Sequence, residues 1–132
     1  MNLIPESHRD LLAPETRAFA YIATLMADGS PQLTSVWFGV EGDHILINTA
    51  NGRLKEKNLR ARHQVAILIA DPQDAFYRYI QIRGRVVGSE EDVDLQHINK
   101  LSLQYDNVQW KPTPGQTRVI FKILPEKIYV HT

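Results

Sequence analysis

Three apolar, β-rich runs separated by two tight turns limit what this chain can fold into more than any other feature of its sequence. The runs at residues 19–27 and 32–40 flank Asp28-Gly29-Ser30-Pro31, and Glu41-Gly42-Asp43 separates the second run from residues 44–49. Glycine, proline, aspartate and serine at these positions favour turns. Because connections this short join antiparallel neighbours, whereas parallel strands need a crossover of about a dozen residues, the sequence predicts an antiparallel meander.

The middle of the chain alternates between helical and strand patterns. Residues 53–62 are rich in good helix formers and follow the Asn51-Gly52 break, which predicts a short helix. Residues 64–70 are almost all apolar, as is typical of a strand that is buried on both faces. Polar and apolar side chains alternate over residues 77–87, which predicts another strand, and Gly84 within it indicates a bulge or the close approach of another backbone.

The last part of the chain predicts a helix followed by a long strand. Ser89 precedes three acidic residues, which is typical of a helix start, and apolar spacing extends this helix to about Asp106. Residues 117–130 predict a final strand or strand pair that is kinked at Pro125. With a short helix at residues 7–12, the fold class is mainly β (α+β), with about six strands and two or three short helices. Six short antiparallel strands leave exposed edges unless they close, so we predict a six-stranded barrel.

Composition excludes several classes of function. The 132 residues suffice for one core, so residues 1–132 are expected to form a single domain. The absence of cysteine excludes disulfides, thiolate metal sites and cysteine nucleophiles. Fifteen basic residues balance fifteen acidic ones, which argues against nucleic-acid and membrane partners. The histidines lack metal-ligand spacing and no apolar stretch approaches the roughly 20 residues of a membrane span, so we expect a cytoplasmic protein without a metal.

A basic segment at the start of the predicted helix 53–62 is the sharpest candidate site. It carries five cations and one acid in ten residues. Cations at a helix N-terminus are repelled by about 0.3–1 kcal/mol each unless an anion is present, so Arg53 and Lys55 indicate a phosphate site. Thr49 and Asn51 could add hydroxyl and amide donors. The alternatives are a solvated basic helix that packs through its leucines and a nucleic-acid patch.

Two further segments have both a structural and a functional interpretation. In residues 31–38, the small polar Thr34 and Ser35 lie between bulky apolar residues, so a flat ring could lie across the strand; alternatively, Val36, Trp37 and Phe38 are simply core. The other segment is one polar and aromatic strand face that suits solvent, a dimer contact or a ligand wall equally well, and it comprises Tyr77, Tyr79, Gln81, Arg83 and Arg85.

In their order along residues 19–130, these motifs resemble the flavin and deazaflavin oxidoreductases related to pyridoxamine 5′-phosphate oxidase, the split β-barrel superfamily. The likeness is greatest to the branch described as coenzyme F420-dependent. Each motif alone is weak, but the ordered set is fairly specific. The motifs are Asp28-Gly29-x-Pro31, Val36-Trp37-Phe38, Asn48-Thr49, Arg53-x-Lys55-x-x-Asn58-Leu59, Ala70-Asp71-Pro72 and Tyr77-x-Tyr79-x-x-x-Arg83-Gly84-Arg85.

The resemblance implies a homodimeric six-stranded split β-barrel with two equivalent cofactor sites in the interface. It implies that Arg53, Lys55 and Asn58 grip the phosphate or acidic tail of the cofactor. Thr49 would assist them, and Asn48 would also bind the cofactor. The residues that it places along the flat ring are Gln32, Thr34, Ser35, Val36 and Trp37. Tyr77 and Tyr79 would close the pocket from the partner subunit.

The resemblance also implies an oxidoreductase in which the cofactor supplies the chemistry and no catalytic side chain is assigned. Coenzyme F420 is the expected cofactor and FMN the alternative, with hydride transfer to an electron-poor small-molecule substrate. A non-catalytic flavin-binding protein is a further alternative. Residues 126–132 lack the Arg/His substrate motif of true pyridoxamine-phosphate oxidases, so vitamin B6 oxidation is not expected.

Overall fold

The computed structural model describes residues 3–131, which form one antiparallel seven-stranded sheet with the order β2-β1-β5-β6-β7-β4-β3. None of the helices in this range is long and apolar enough to cross a membrane. The strands are β1 (Phe19–Leu25), β2 (Pro31–Val36), β3 (Phe38–Glu41), β4 (His44–Ala50), β5 (Gln64–Ala70), β6 (Tyr79–Glu91) and β7 (Arg118–His131). The helices are α1 (Leu54–Ala61) and α2 (Gln96–Asp106), and short 3₁₀ segments cover Glu6–Leu12, Pro14–Thr16 and Val93–Leu95.

The prediction of six strands closing a barrel was wrong, because the predicted strand at residues 32–40 is divided at Trp37. Strand β2 pairs only with β1 and forms one edge of the sheet, whereas β3 pairs with β4 and forms the other edge. One continuous strand cannot follow both ladders, so the chain leaves the first ladder at Trp37 and joins the second. The two edges are therefore joined through the covalent chain, and the hydrogen-bonded sheet itself is not closed.

The core lies on one face of this sheet. Side chains alternate along each strand, and Ile22, Ile67, Ile82 and Phe121 are at most 1% exposed. The first helix, α1, adds Leu59 to the same cluster. Burying an aliphatic or aromatic side chain of this size contributes about 1.5–3 kcal/mol, so the inward face of each strand holds the domain together. This confirms the predicted alternation in β6.

The register of β6 against β7 shifts at Gly84, as the sequence predicted. Arg83 lies opposite Lys127 and Gly84 lies opposite Pro125, so Glu126 is the extra residue of a bulge. A Cβ atom on Gly84 would overlap the carbonyl oxygen of Leu124 and would lie 3.2 Å from the Cα atom of Pro125. The predicted kink at Pro125 and the predicted bulge at Gly84 are therefore one feature.

Replacing Gly84 by alanine should lower the free energy of unfolding by about 1–3 kcal/mol, because the new methyl group meets backbone atoms that cannot move aside cheaply. Chemical denaturation measures this change. Gly88→Ala is the matched control in the same strand, since its Cβ would meet nothing within 4 Å. Equal stability losses in the two variants would contradict the interpretation.

The predicted helix start at Ser89 was also wrong. Ser89, Glu90 and Glu91 remain in β6 and pair with β7, because extending an existing ladder outweighs the local preference for a cap. The helix begins only at Gln96. The carboxylate of Asp92 nevertheless stabilises the start of this helix, because it accepts hydrogen bonds from the backbone N–H groups of His97 and Ile98 at 2.8 Å each.

Candidate functional site

A cleft of about 460 Å³ opens on the outer side of the sheet, where β1 and β2 approach α1, α2 and the start of β7. Its volume falls within the range of about 300–1,000 Å³ that is usual for small-molecule sites. One end carries cations and the other is mainly aromatic. The lining residues are Ala18, Phe19, Ala20, Tyr21, Ser35, Val36, Trp37, Asn48, Arg53, Lys55, Ile98, Tyr105, Asp106, Trp110 and Arg118.

The cationic end is formed by Arg53, Lys55 and Arg118. The turn between β4 and α1 contains Gly52 with a φ of +89°, a backbone conformation that favours glycine, and it places Arg53 and Lys55 at the first turn of α1. Antiparallel pairing of β4 with β7 puts Arg118 opposite Ala50 and so beside this turn. Within residues 3–131, none of the three cations forms an ion pair.

Burial and neighbouring positive charges lower the pKa values of two of these cations. Burial, together with the charges of Arg53 and Arg118, lowers the pKa of Lys55. Burial and the charge of Arg53 likewise lower the pKa of Arg118, and Asp92 offsets this only in part. Like charges gathered at one end of the cleft favour a bound anion, because its negative charge offsets their mutual repulsion.

A hydrogen-bonded network lies behind the cationic end. The Nε–H of Arg118 donates to Asn48 Oδ1 at 2.9 Å, and Asn48 Nδ2 donates to Asp92 Oδ2 at 2.9 Å. The same amide nitrogen lies 2.9 Å from His97 Nδ1. Because a guanidinium only donates and a carboxylate only accepts, these contacts fix the orientation of the Asn48 amide. His97 Nδ1 must then accept, so this histidine is neutral with its proton on Nε2.

The aromatic end of the cleft is built from three rings. Trp37 stacks on Tyr105 with ring centroids 5.5 Å apart and an angle of 1° between planes, and Trp110 meets Trp37 edge-on at 6.3 Å. The guanidinium of Arg118 lies 5.0 Å above the Trp110 ring, which links the two ends of the cleft. Tyr105 donates to the carbonyl oxygen of Ala18 at 3.2 Å, and burial raises its pKa to about 12, so it stays protonated at neutral pH.

About half of the residues predicted from the sequence meet at this cleft. They are Ser35, Val36, Trp37, Asn48, Arg53 and Lys55. Two of their neighbours in β2 and β4 do not line the cleft. Thr49 follows Asn48 and therefore points to the opposite face, where it is 2% exposed. Thr34 lies opposite the buried Ile22 on the core side.

The remaining predicted residues lie away from the cleft of the same subunit. Asn58 is buried and donates to Thr24 Oγ1 at 3.1 Å, so its amide is used inside the fold. Thr24 Oγ1 donates in turn to Gln32 Oε1 at 3.2 Å. Tyr77 lies in an exposed loop before β6, and Tyr79 stacks on His131 with ring centroids 5.2 Å apart. Their predicted role at the pocket of a partner subunit stays a prediction.

Comparison with known proteins identifies the family. The sequence profile of the pyridoxamine 5′-phosphate oxidase family matches residues 4–132. The chain belongs to this family. The match confirms the resemblance seen in the sequence, and it places nearly the whole chain, including both ends of the cleft, within the family domain.

Solved structures agree with membership of the pyridoxamine 5′-phosphate oxidase family. The chain is similar to an F420 reductase, with 30% identity, a TM-score of 0.85 and coverage of 96% of this chain and 98% of that one. A conserved hypothetical protein from Mycobacterium tuberculosis has 20% identity, a TM-score of 0.73 and coverage of 97% and 84%. General Stress Protein 26 from Bacillus anthracis has 22% identity, a TM-score of 0.67 and coverage of 93% and 92%, and like the previous protein it shows the fold alone. A search of curated proteins gave no match.

Sequence reasoning missed several residues of this family member's cleft, above all Arg118. Its only sequence signal is a cation at the start of a long strand, and its position depends on the register of β7 against β4. Tyr105 and Trp110 were missed for a similar reason. Tyr105 lies in α2 and Trp110 lies in the loop after it, and only tertiary packing brings them to Trp37.

The cleft fits a flat ligand that carries a phosphate, as the flavin and deazaflavin cofactors do. Three unpaired cations would receive the phosphate, and the parallel Trp37 and Tyr105 rings suit a planar group. The Nε1–H group of Trp110 is buried and has no hydrogen-bond partner within residues 3–131. No three acidic or histidine side chains in this range are arranged to hold a metal ion.

The neutral His97 predicts a dependence of stability on pH. Burial lowers its pKa below the ordinary value of 6.5, although Asp92, Glu41 and Glu90 oppose this shift and Lys100 adds to it. Below about pH 6.5 the unfolded chain therefore binds more protons at this site, and the stability present above that pH is lost as the pH falls. One proton limits the slope to about 1.4 kcal/mol per pH unit, and partial exposure makes the expected slope smaller.

Denaturation of the wild type and of His97→Gln between pH 5 and pH 8 tests this expectation. Glutamine keeps a hydrogen-bonding side chain but cannot titrate, so the variant should lose less stability on acidification. Parallel stability curves for the two proteins would show that His97 does not carry the effect.

Proposed function

We propose that this protein is an oxidoreductase that binds coenzyme F420 in the cleft and directs hydride transfer to an electron-poor small molecule. The observation that carries the proposal is the convergence of three unpaired cations on one end of a cleft whose other end is a flat aromatic wall. The likeness to an F420 reductase at 30% identity supports the same choice of cofactor. FMN is the alternative, since Arg53 and Lys55 alone could satisfy its single terminal phosphate.

In this proposal the chain binds and orients, and the cofactor supplies the two-electron chemistry. Arg53 and Lys55 bind the phosphate together with the free backbone N–H groups at the start of α1. Ser35 and the Trp37–Tyr105 stack border the ring and exclude water from one side of it. Positioning in such a site accounts for rate enhancement without a covalent nucleophile.

Fluorescence titration of the purified protein with F420 and with FMN tests the proposal, followed by turnover assays on electron-poor enones with the reduced cofactor. Tighter binding of F420 together with turnover would support it. Tighter binding of FMN with turnover would support the alternative cofactor. Saturable binding without turnover on a broad panel would reduce the function to flavin binding, and failure to bind either cofactor would overturn the proposal.

We further propose that the protein acts as a homodimer with its two cofactor sites at the interface. The sheet pairing places Ser35, Tyr21, Leu68, Gln81 and Tyr129 in one row across the outer face. This face is uncovered within residues 3–131, and it includes large exposed side chains such as Leu33, which is 69% exposed. It continues into the cleft through Tyr21 and Ser35, which supports an interface that borders the site.

Replacing Leu33 by aspartate should convert the dimer to a monomer without unfolding it, because the side chain is already exposed in the single subunit. Light scattering coupled to size-exclusion chromatography measures the mass. Val93→Asp is the matched control, since Val93 is 62% exposed but belongs to the 3₁₀ segment Val93–Leu95 and not to the sheet. A monomeric wild type, or two variants that dissociate equally, would contradict the proposed interface.

A further inference from the structure

Arg118 is a buried cation for which the fold provides hydrogen bonds but no neutralising partner. It is 5% exposed, and its donors reach Asn48 through Nε and Gln116 through Nη1 at 3.4 Å. Its second terminal nitrogen, Nη2, donates to no acceptor within residues 3–131. A buried guanidinium ordinarily pairs with a carboxylate, because an uncompensated buried charge is costly.

Asp92 is an acidic residue whose charge acts on Arg118, but its carboxylate is occupied by other donors. Asp92 accepts hydrogen bonds from the backbone of His97 and Ile98 at the start of α2 and from the side chain of Asn48. It forms no ion pair with Arg118. Asn48 stands between the two, and its amide is suited to this place because one end accepts from the guanidinium while the other donates to the carboxylate.

We propose that Arg118 is a third anion-binding residue of the cleft and that Asn48 is the positioning residue that aims its guanidinium at the ligand's phosphate. This inference rests on the proposed function and adds to it a buried contributor from a different element of the fold. Arg53 and Lys55 lie at the start of α1, whereas Arg118 approaches from β7 and lies over the Trp110 ring. The site would then hold the phosphate between two elements rather than against one helix end.

The test compares ligands that differ only in the anionic group. The ratio of the dissociation constants of riboflavin and FMN measures what the phosphate contributes, because these two ligands differ only in that group. Replacing Arg118 by methionine keeps the aliphatic stem on Trp110 and removes the charge. We expect the ratio to fall about tenfold or more, while riboflavin binding changes little.

A double-mutant cycle separates positioning from a general structural role. Asn48→Ala should lower the phosphate ratio in the wild-type background and should have no further effect on it in the Arg118→Met background, because Asn48 acts through Arg118. Arg118→Lys keeps the charge but lacks the Nε–H that donates to Asn48. This variant should retain part of the preference for FMN over riboflavin, and adding Asn48→Ala should not lower that preference further. A merely structural role would weaken binding of both ligands alike.

The outcomes distinguish this inference from the proposed function. If the wild-type protein does not prefer the phosphorylated ligand, both the proposed function and the role of Arg118 are wrong. If Arg118→Met keeps a clear preference for FMN over riboflavin, only the role of Arg118 is wrong. Equal losses from Asn48→Ala in the two backgrounds would show that Asn48 does not act through Arg118.

Discussion

Replacing Arg53 and Lys55 together by alanine should weaken cofactor binding by about two orders of magnitude or more. Each charge-assisted hydrogen bond to a phosphate contributes about 1.5–3 kcal/mol, and the two side chains converge on one end of the cleft. Fluorescence titration with F420 and with FMN measures the loss. The same variant should be no less stable than the wild type without ligand, because it removes cations that the first turn of α1 repels.

The control for this double variant is Lys57→Ala combined with Lys100→Ala. It removes the same net charge from two exposed positions outside the cleft. Surface charges of this kind contribute little to a specific site, so cofactor affinity should change only slightly at moderate ionic strength. If both double variants lost affinity equally, the attraction would be a property of overall charge, and the assignment of the site would be wrong.

Replacing Asp92 by alanine should destabilise the protein by about 2–5 kcal/mol. Its carboxylate is 5% exposed and accepts hydrogen bonds from the backbone of His97 and Ile98 and from the side chain of Asn48. Removing it leaves these donors without an acceptor in a buried place, at a cost of about 1–3 kcal/mol for each group that water cannot reach. It also removes a negative charge from the start of α2. Urea denaturation measures the loss.

Asp94→Asn is the matched control for Asp92→Ala. Asp94 is an exposed acid two residues away, and asparagine tolerates its positive φ of 57°. This variant removes one negative charge near α2 but no hydrogen bond to its first turn, so it should change the free energy of unfolding by less than about 0.5 kcal/mol. Similar losses in the two variants would mean that charge alone, and not the buried hydrogen bonds, carries the effect.

Local patterns predicted most of the strands and the helix α1, because turns and alternation are properties of neighbouring residues. They failed at Trp37, where residues 32–40 read as one apolar run although they belong to two ladders at opposite edges of the sheet. They failed again at Ser89, whose capping pattern is real but is overridden by pairing with Phe121 in β7. In both places a distant strand decides the local structure.

The candidate site also combines residues that local sequence predicts with residues that only a distant strand brings into place. The cluster at Arg53 and Lys55 is contiguous in sequence, so the sequence alone is enough to predict an anion site there. Arg118 reaches the same place from far along the chain, and its proximity follows only from the register that sets it opposite Ala50. Parity also mattered at Thr49, which looked like a partner of Asn48 but points into the core.

Trp37 is the single residue between β2 and β3, the strands that form the two edges of the sheet. A ligand bound against the Trp37 ring would stabilise both edge strands, because local opening of either strand would pull this ring away from its stack on Tyr105. Amide hydrogen exchange in β2 and β3 should therefore slow together when the cleft is filled, although no ladder connects these strands. Filling the cleft would then stabilise both edge strands of the open sheet at once.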